Sequence, residues 1–264
     1  MNCRSLRYAV VVFVVIGTLF GSAAALAADS EEAVFQTSTI AAFLAGLYDG
    51  PMTCTELLER GDTGLGTFNG IDGEMIVSEG HVFQAKCGGV VAEMDDSELI
   101  PFAMVTFFDS DIQLELESPL VYSEFEKWLD TQLPTLNMIY AIRVEGSFQS
   151  VKARSIPKQV EPYEPFVKVA ETQSVYKIEE RRGLLVGFRF PSFAEGINVP
   201  GYHLHFLDAS KSKGGHVLDF VLEEGLVHVD LIPGLYVALP ETEEFFDLEI
   251  DTSTLSENTK KAEK

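Results

Sequence analysis

The sequence is poor in positive charge and in cysteine, and each shortage excludes one possibility. Its 264 residues include 19 lysines and arginines against 41 aspartates and glutamates, which gives a net charge of −22 at pH 7. Such a surface repels nucleic acid and anionic membranes, and an anionic ligand would need a local cation. The three cysteines are too few for a disulfide framework. The hydrophobic content of 46% nevertheless indicates a folded protein with a sizeable core.

The first 27 residues have the features of an export signal. Two arginines precede an apolar run over residues 8–20, and small residues end the segment at residues 25–27. The alternative, a membrane anchor, is disfavoured because the run is short for a spanning helix and is broken by small residues. The sequence therefore predicts a signal peptide over residues 1–27 and an exported protein, periplasmic or extracellular, with no membrane attachment. In that compartment the pairing of Cys54 with Cys87 stays open.

Beyond the leader, short strand patterns dominate and helices are few. The helices are predicted from their first residues, with Ser38 as one N-cap and capping boxes at Thr53 with Glu56 and at Ser123 with Glu126. Strand-like segments, β-branched or aromatic and bounded by glycine, aspartate or serine, fill most of the remaining chain. Three prolines within residues 157–165 predict an extended connector at a candidate domain boundary.

Three of the five histidines fall in the stretch "GYHLHFLDASKSKGGHVLDF". Side chains alternate along a strand, so His203 and His205 share one face. Gly214 and Gly215 allow the chain to reverse, which places His216 at the start of the returning strand. This arrangement predicts three imidazoles converging on one point of a β-hairpin.

Three neutral imidazoles are a donor set that zinc prefers where one position stays open for substrate or water. Surface or core histidines are the alternative interpretation, and we assign the isolated His81 and His228 to it. The H-x-H spacing also opens the cupin metal motif, but the expected glutamate is missing and Asp208 is the nearest acid. The sequence therefore favours a zinc site.

Seven sequence segments match one known family in the same order: "TSTIAAFLAGLYDG", "ELLERGDTGLGTFNGIDGEMIV", "PFAMVTFF", "YAIRVEGSF", "VKARSIPKQ", "GYHLHFLD" and "GGHVLDF". The chain thus resembles the acetolactate decarboxylase family over nearly all of its length beyond the leader. The resemblance implies an α+β fold with mixed, mostly antiparallel sheets and a few short helices. It also implies a zinc enzyme that converts 2-acetolactate to (R)-acetoin and CO2.

With the connector as boundary, we expect two domains and a tail that reaches the active site. The N-terminal α/β domain would cover residues 28–156, the β-rich domain with the zinc site residues 166–240, and the acidic tail residues 241–264. A homodimer is compatible with this organisation.

The resemblance also implies roles for single residues, beginning with zinc binding by the three histidines. Glu74 corresponds to a glutamate at the metal centre, Thr67 to a substrate-site threonine and Arg154 to the arginine that contacts substrate. The family brings a tail glutamate into its site, for which Glu263 is the candidate and Glu257 the competitor.

The chemistry of the residues agrees with these roles. Zinc can act as the electron sink for the enediolate, so no organic cofactor is required. Arg154 supplies the local cation that the acidic surface lacks, and Glu74 or Glu263 can donate the proton that forms one enantiomer. The expected partner is a small 2-hydroxy-3-oxo acid. Two alternatives stay open: an exported zinc-binding protein without catalysis, and a cupin-like metal dioxygenase.

Overall fold

Two β-sheets carry most of the regular structure in the computed structural model, which describes residues 32–95 and 97–262. The predicted signal peptide and Glu263 lie outside the described residues. In chain order the strands are β1 (Ala33–Thr37), β2 (Met52–Thr53), β3 (Thr63–Thr67), β4 (Glu74–Ser78), β5 (His81–Ala85), β6 (Val91–Glu93), β7 (Leu99–Ile100), β8 (Phe102–Thr106), β9 (Ile112–Leu116), β10 (Leu120–Val121), β11 (Ile139–Ser155), β12 (Ser174–Phe190), β13 (Gly201–Asp208), β14 (Gly214–Ile232) and β15 (Gly234–Ala238). The helices are α1 (Ile40–Ala45), α2 (Cys54–Leu58), α3 (Tyr122–Gln132), α4 (Phe166–Val169), α5 (Glu243–Phe246) and α6 (Leu255–Ala262), with 3-10 turns at Cys87–Gly89, Ala170–Thr172 and Ser192–Ala194.

The two large sheets differ in whether their strands form a closed ring. The first has seven strands in the order β15-β1-β8-β3-β4-β5-β6, antiparallel except for the parallel pair of β1 with β15. The second has six strands in the order β10-β14-β11-β12-β13, with β9 beside β14. Because β13 also pairs with β14, the strands β14, β11, β12 and β13 form a closed ring. Mixed, mostly antiparallel sheets with few short helices confirm the predicted fold class.

The predicted connector lies inside the compact unit that contains the described residues. Strand β11 precedes the connector and β12 follows it, yet the two strands are paired along almost their whole length. Strand β15, from the C-terminal half, joins the first sheet beside β1. Both sheets therefore contain strands from either side of residues 157–165, and the division into two domains stays a prediction. No helix in residues 32–95 and 97–262 is long and apolar enough to span a membrane.

Three strands of the second sheet continue through glycines, although glycine in the sequence pattern indicates a strand end. Strands β11 and β12 have 17 residues each and β14 has 19. Gly146 of β11 lies directly opposite Gly183 on one side and Gly225 on the other. A Cβ on Gly146 would come within 2.5 Å of the carbonyl oxygen of Glu224. The three glycines therefore form a row across the sheet where the backbones approach closely.

The predicted helix N-caps are confirmed at one of three positions. The capping box of α2 is confirmed, with both reciprocal hydrogen bonds present. The N-cap of α1 is Thr39, whose hydroxyl accepts from the Ala42 amide at 3.2 Å. The prediction of Ser38 is wrong because its φ of 62° is incompatible with the extended N-cap conformation. The capping box at Ser123 is also wrong, since the N-cap of α3 is Val121, two residues earlier, and it makes no side-chain hydrogen bond.

Candidate metal centre and active site

The three histidines converge as predicted. His203 and His205 lie on β13, and His216 lies on β14 directly opposite His205. The His216 Nδ1 atom is 3.1 Å from His203 Nε2 and 3.4 Å from His205 Nε2. One nitrogen from each ring lies within 4.8 Å of the other two, and all three side chains are buried. Two strands thus hold three ring nitrogens at the spacing of a metal site.

The environment keeps the imidazoles neutral, the state that a metal ligand requires. Burial, and secondarily the Arg154 charge, lowers the pKa of His203 to about 3. Burial is also the main cause that holds the pKa values of His205 and His216 well below the ordinary value. His205 Nδ1 lies 2.7 Å from the Met75 carbonyl oxygen, so Nδ1 carries the proton and Nε2 presents its lone pair.

The donor set therefore fits a divalent metal ion. Three neutral imidazoles on two adjacent strands offer nitrogen lone pairs to one point. His203 Nδ1 is buried and has no hydrogen-bond partner in the described part of the chain. The other nitrogen of this ring, Nε2, faces His216 Nδ1 together with His205 Nε2, so one ion could meet a donor from each of the three rings.

Arg154 and Glu74 join the histidines through the register of the strands. Arg154 of β11 lies directly opposite His216 of β14. Its Nη1 atom is 3.8 Å from Glu74 Oε1, and Glu74 Oε2 is 3.7 Å from His205 Nε2. All four side chains are buried. The Glu74 carboxylate therefore lies between a guanidinium group and the imidazole cluster.

Thr67 lies on β3 opposite Glu74 and is buried beside the same cavity. Its hydroxyl donates a hydrogen bond of 2.7 Å to the carbonyl oxygen of Gly73. Since a hydroxyl has one hydrogen and two lone pairs, Thr67 retains acceptor capacity toward a bound molecule.

The C-terminal helix α6 reaches the site, as the sequence led us to expect of the tail. Arg154 Nη2 donates to the Ala262 carbonyl oxygen at 2.8 Å, and Ala262 lines the cavity. Glu263 is the next residue in the chain. Glu257 is exposed and forms an ion pair with Lys261 at 2.6 Å, and it is absent from the described residues that line the cavity. The competitor Glu257 is thereby disfavoured.

The cavity is small and has both polar and apolar linings. Its volume is about 40 Å³, which is room for a few water-sized groups. The polar lining consists of Thr67, Glu74, Arg154 and the three histidines. The apolar lining includes Ile40, Phe43, Ile71, Phe102, Ile156 and Phe166. Sequence reasoning did not identify these apolar side chains as site residues, because they have the same pattern as ordinary core positions.

The remaining histidines and the two described cysteines are not among the residues of the cavity. His81 Nδ1 pairs with Glu93 at 2.6 Å on the surface, and His228 Nδ1 contacts the Ser110 hydroxyl at 3.4 Å. Cys54 is buried and Cys87 is exposed, and no disulfide joins them.

Comparisons with known proteins agree with this geometry. The family model for alpha-acetolactate decarboxylase matches residues 34–252. The alpha-acetolactate decarboxylase of Methanosarcina mazei is 41% identical over 236 residues, which cover 89% of this chain and 82% of that protein. The corresponding protein of Methylococcus capsulatus is 42% identical over 217 residues, covering 82% of this chain and 84% of that protein.

A solved structure agrees as well. The crystal structure of alpha-acetolactate decarboxylase from Bacillus subtilis strain 168 superposes with a TM-score of 0.85 at 36% identity, and the match covers 87% of this chain and 98% of that one. The resemblance seen in the sequence motifs is thereby confirmed. The chain belongs to the alpha-acetolactate decarboxylase family of carboxy-lyases.

Proposed function

We propose that the protein converts 2-acetolactate to (R)-acetoin and CO2, with zinc bound by His203, His205 and His216. Family membership supports the decarboxylation. The observation that carries the proposal is one small buried cavity in which three neutral imidazoles face an arginine and a glutamate. Imidazole triads with an open fourth position are typical of catalytic zinc, which favours this metal over others. When bound, zinc supplies a Lewis acid that stabilises the electron density left by departing CO2.

Arg154 has the position and the free donor to orient an anionic substrate. It places a cation in the cavity of a chain whose net charge is −22. Its two Nη atoms already face Ala262 and Glu74, whereas Nε is buried without a hydrogen-bond partner among the described residues. We propose that the Nε–H group of Arg154 donates a hydrogen bond to the substrate carboxylate or to an adjacent oxygen. Charge-assisted hydrogen bonds from arginine orient planar oxygen groups.

Two glutamates are the candidates for delivering the proton that creates a single enantiomer. Glu74 is buried within 4 Å of both Arg154 and His205. Glu263 directly follows Ala262, whose carbonyl group is held by Arg154 at the cavity. Proton delivery from one fixed direction requires a positioned acid. We assign that role to this pair of carboxyl groups, with Thr67 accepting a hydrogen bond from the substrate.

The apolar lining completes the site by limiting access of water. Phe43, Phe102 and Phe166 belong to one buried cluster that also contains Ala262 of α6. Excluding water strengthens the electrostatic interactions in the cavity and suppresses protonation from the wrong direction. The methyl groups of 2-acetolactate suit such a lining.

The test of the assignment is Arg154→Met compared with Arg189→Met. Arg189 is also a buried arginine, on β12, and its Nε donates to Asp130 at 2.8 Å. It is absent from the described residues that line the cavity. We expect Arg154→Met to reduce acetoin formation by at least about a hundredfold with zinc content retained, and Arg189→Met to keep its turnover.

Normal turnover of Arg154→Met would refute the assigned role. Retained zinc without any acetoin from the unaltered chain would instead indicate a zinc-binding protein. Oxygen-dependent turnover, lost in an anaerobic assay, would indicate a dioxygenase.

Export is a further part of the proposal, supported by the charge and apolar pattern of residues 1–27. Expression of the full gene should yield extracellular or periplasmic protein that begins near residue 28. Intact protein retained in the cytoplasm would refute export. A homodimer stays a prediction, which sedimentation of the purified chain would decide.

A further inference from the structure

Tyr176 lies outside the cavity but connects two strands that build it. It belongs to β12 and lies opposite Ala153 of β11. Its hydroxyl donates to the Gly214 carbonyl oxygen at 2.8 Å and lies 2.7 Å from the Ser155 hydroxyl. Because the tyrosine has one hydroxyl hydrogen, which it gives to Gly214, Ser155 is the donor in the second bond.

These two partners are neighbours of site residues in the chain. Ser155 directly follows Arg154, and Gly214 lies two residues before His216. Arg154 and His216 are themselves opposite each other in the pairing of β11 with β14. One hydroxyl therefore fixes β11 next to the substrate arginine and β14 next to a histidine of the cluster.

Two glycines leave the space that the Tyr176 side chain occupies. A Cβ at Gly215 would collide with the Tyr176 hydroxyl oxygen, and a Cβ at Gly89 would collide with its ring. Gly89 has a φ of 73°, a conformation that favours glycine. Burial raises the pKa of Tyr176 above its ordinary value, so the hydroxyl remains a donor at working pH. The close approach of backbone to the hydroxyl leaves the ring little freedom to shift.

We propose that Tyr176 is a positioning residue for the metal centre, whose hydroxyl sets the placement of His216 and Arg154 relative to each other. The inference rests on the proposed function, since it takes the three histidines as the ligands of zinc. Groups that orient metal ligands typically change metal affinity or activity by about 10–100-fold when they are removed. Tyr176 acts one bond further away, through the backbone, so the lower end of that range applies.

The test compares Tyr176→Phe with Tyr140→Phe in the full chain. Tyr140 lies in the same sheet and is buried, whereas Tyr176 is partly buried, and the Tyr140 hydroxyl donates to the Thr135 carbonyl oxygen at 2.7 Å. Each substitution therefore removes the hydroxyl group that donates a hydrogen bond to one backbone carbonyl oxygen. The measurements are the zinc dissociation constant, by competition with a chelator, and the melting temperature. We expect Tyr176→Phe to weaken zinc binding about tenfold and Tyr140→Phe to leave it unchanged.

A third variant, Ser155→Ala, separates the effects of the two hydrogen bonds of the Tyr176 hydroxyl. It keeps the bond from Tyr176 to Gly214, so we expect wild-type zinc affinity together with a lower kcat. Equal zinc affinities for Tyr176→Phe and Tyr140→Phe would overturn the inference. Loss of zinc from Tyr176→Phe only through unfolding, or absence of zinc binding by the wild-type chain, would overturn it too. A zinc-loaded wild-type chain that forms no acetoin would overturn the proposed function alone.

Discussion

The buried contact of Arg154 with Glu74 predicts a large and non-additive effect on stability. We consider Arg154→Met, which keeps an apolar stem of similar length but removes the charge. The guanidinium is about 5% exposed, lies 3.8 Å from the Glu74 carboxylate and donates to the Ala262 carbonyl oxygen. Two unit charges at this separation interact by about 4 kcal/mol at an effective dielectric constant of about 20. Removal of one buried partner costs about 3–5 kcal/mol in comparable pairs.

The second substitution, Glu74→Gln, tests whether the charge of Glu74 causes that loss. We expect Arg154→Met to lower the free energy of unfolding by about 4 kcal/mol. Adding Glu74→Gln should recover at least about 2 kcal/mol, because a neutral amide is less costly to bury than a carboxylate. The assay is urea denaturation of the metal-free chain, with both single variants and the double variant. Effects that add to within about 0.5 kcal/mol would refute the reasoning.

Three further predictions concern pH and the tail. Burial raises the pKa of Asp230 to about 6, so the contribution of this one group to stability is lost as pH rises from about 4 to 6. Asp230→Asn should therefore stabilise the chain at about pH 8 but not near pH 3, while Asp219→Asn, an exposed control on the same strand, should do neither. The lowered pKa of His203 makes stability depend on pH in the opposite direction, because below about pH 6.5 the unfolded chain binds a proton that the folded chain does not. Stability of the metal-free chain should fall as pH drops toward 3, and His203→Asn should reduce that slope by up to about 1.4 kcal/mol per pH unit; an unchanged slope would contradict the burial argument. Glu263→Gln leaves the Ala262 carbonyl group in place and removes only the carboxyl group, so acetoin formation should fall at least about tenfold with the melting temperature unchanged; normal acetoin formation would remove Glu263 from the site.

The histidine cluster was predictable because its geometry is local. Alternation along one strand places His203 beside His205, and the glycines that follow allow a hairpin that brings in His216. No contact between distant parts of the chain is needed for this arrangement. The capping box of α2 was predictable for the same reason, since its two partners are three residues apart.

The rest of the site depends on contacts between distant segments. Arg154 meets His216 because β11 pairs with β14, and no spacing in the sequence encodes that register. Phe43 and Phe166 line the cavity, yet as apolar residues on short helices they cannot be told from core residues. Their roles and that of Arg154 came only from family resemblance or from the structure.

The long strands illustrate a second limit. In the sequence, Gly146 is typical of a strand end because glycine weakens strand interiors. In the structure it faces other glycines on both neighbouring strands, so its lack of a side chain permits close backbone packing and the strand continues. The signal that distinguishes these two uses of glycine lies in the partner strands.

The most direct test of the central claim is acetoin release from racemic 2-acetolactate by the purified chain, measured before chelation, after chelation and after addition of zinc. The account predicts acetoin of one enantiomer, loss of activity on chelation and recovery with zinc. A folded, zinc-loaded chain that releases no acetoin, or a metal-free chain that remains fully active, would contradict it.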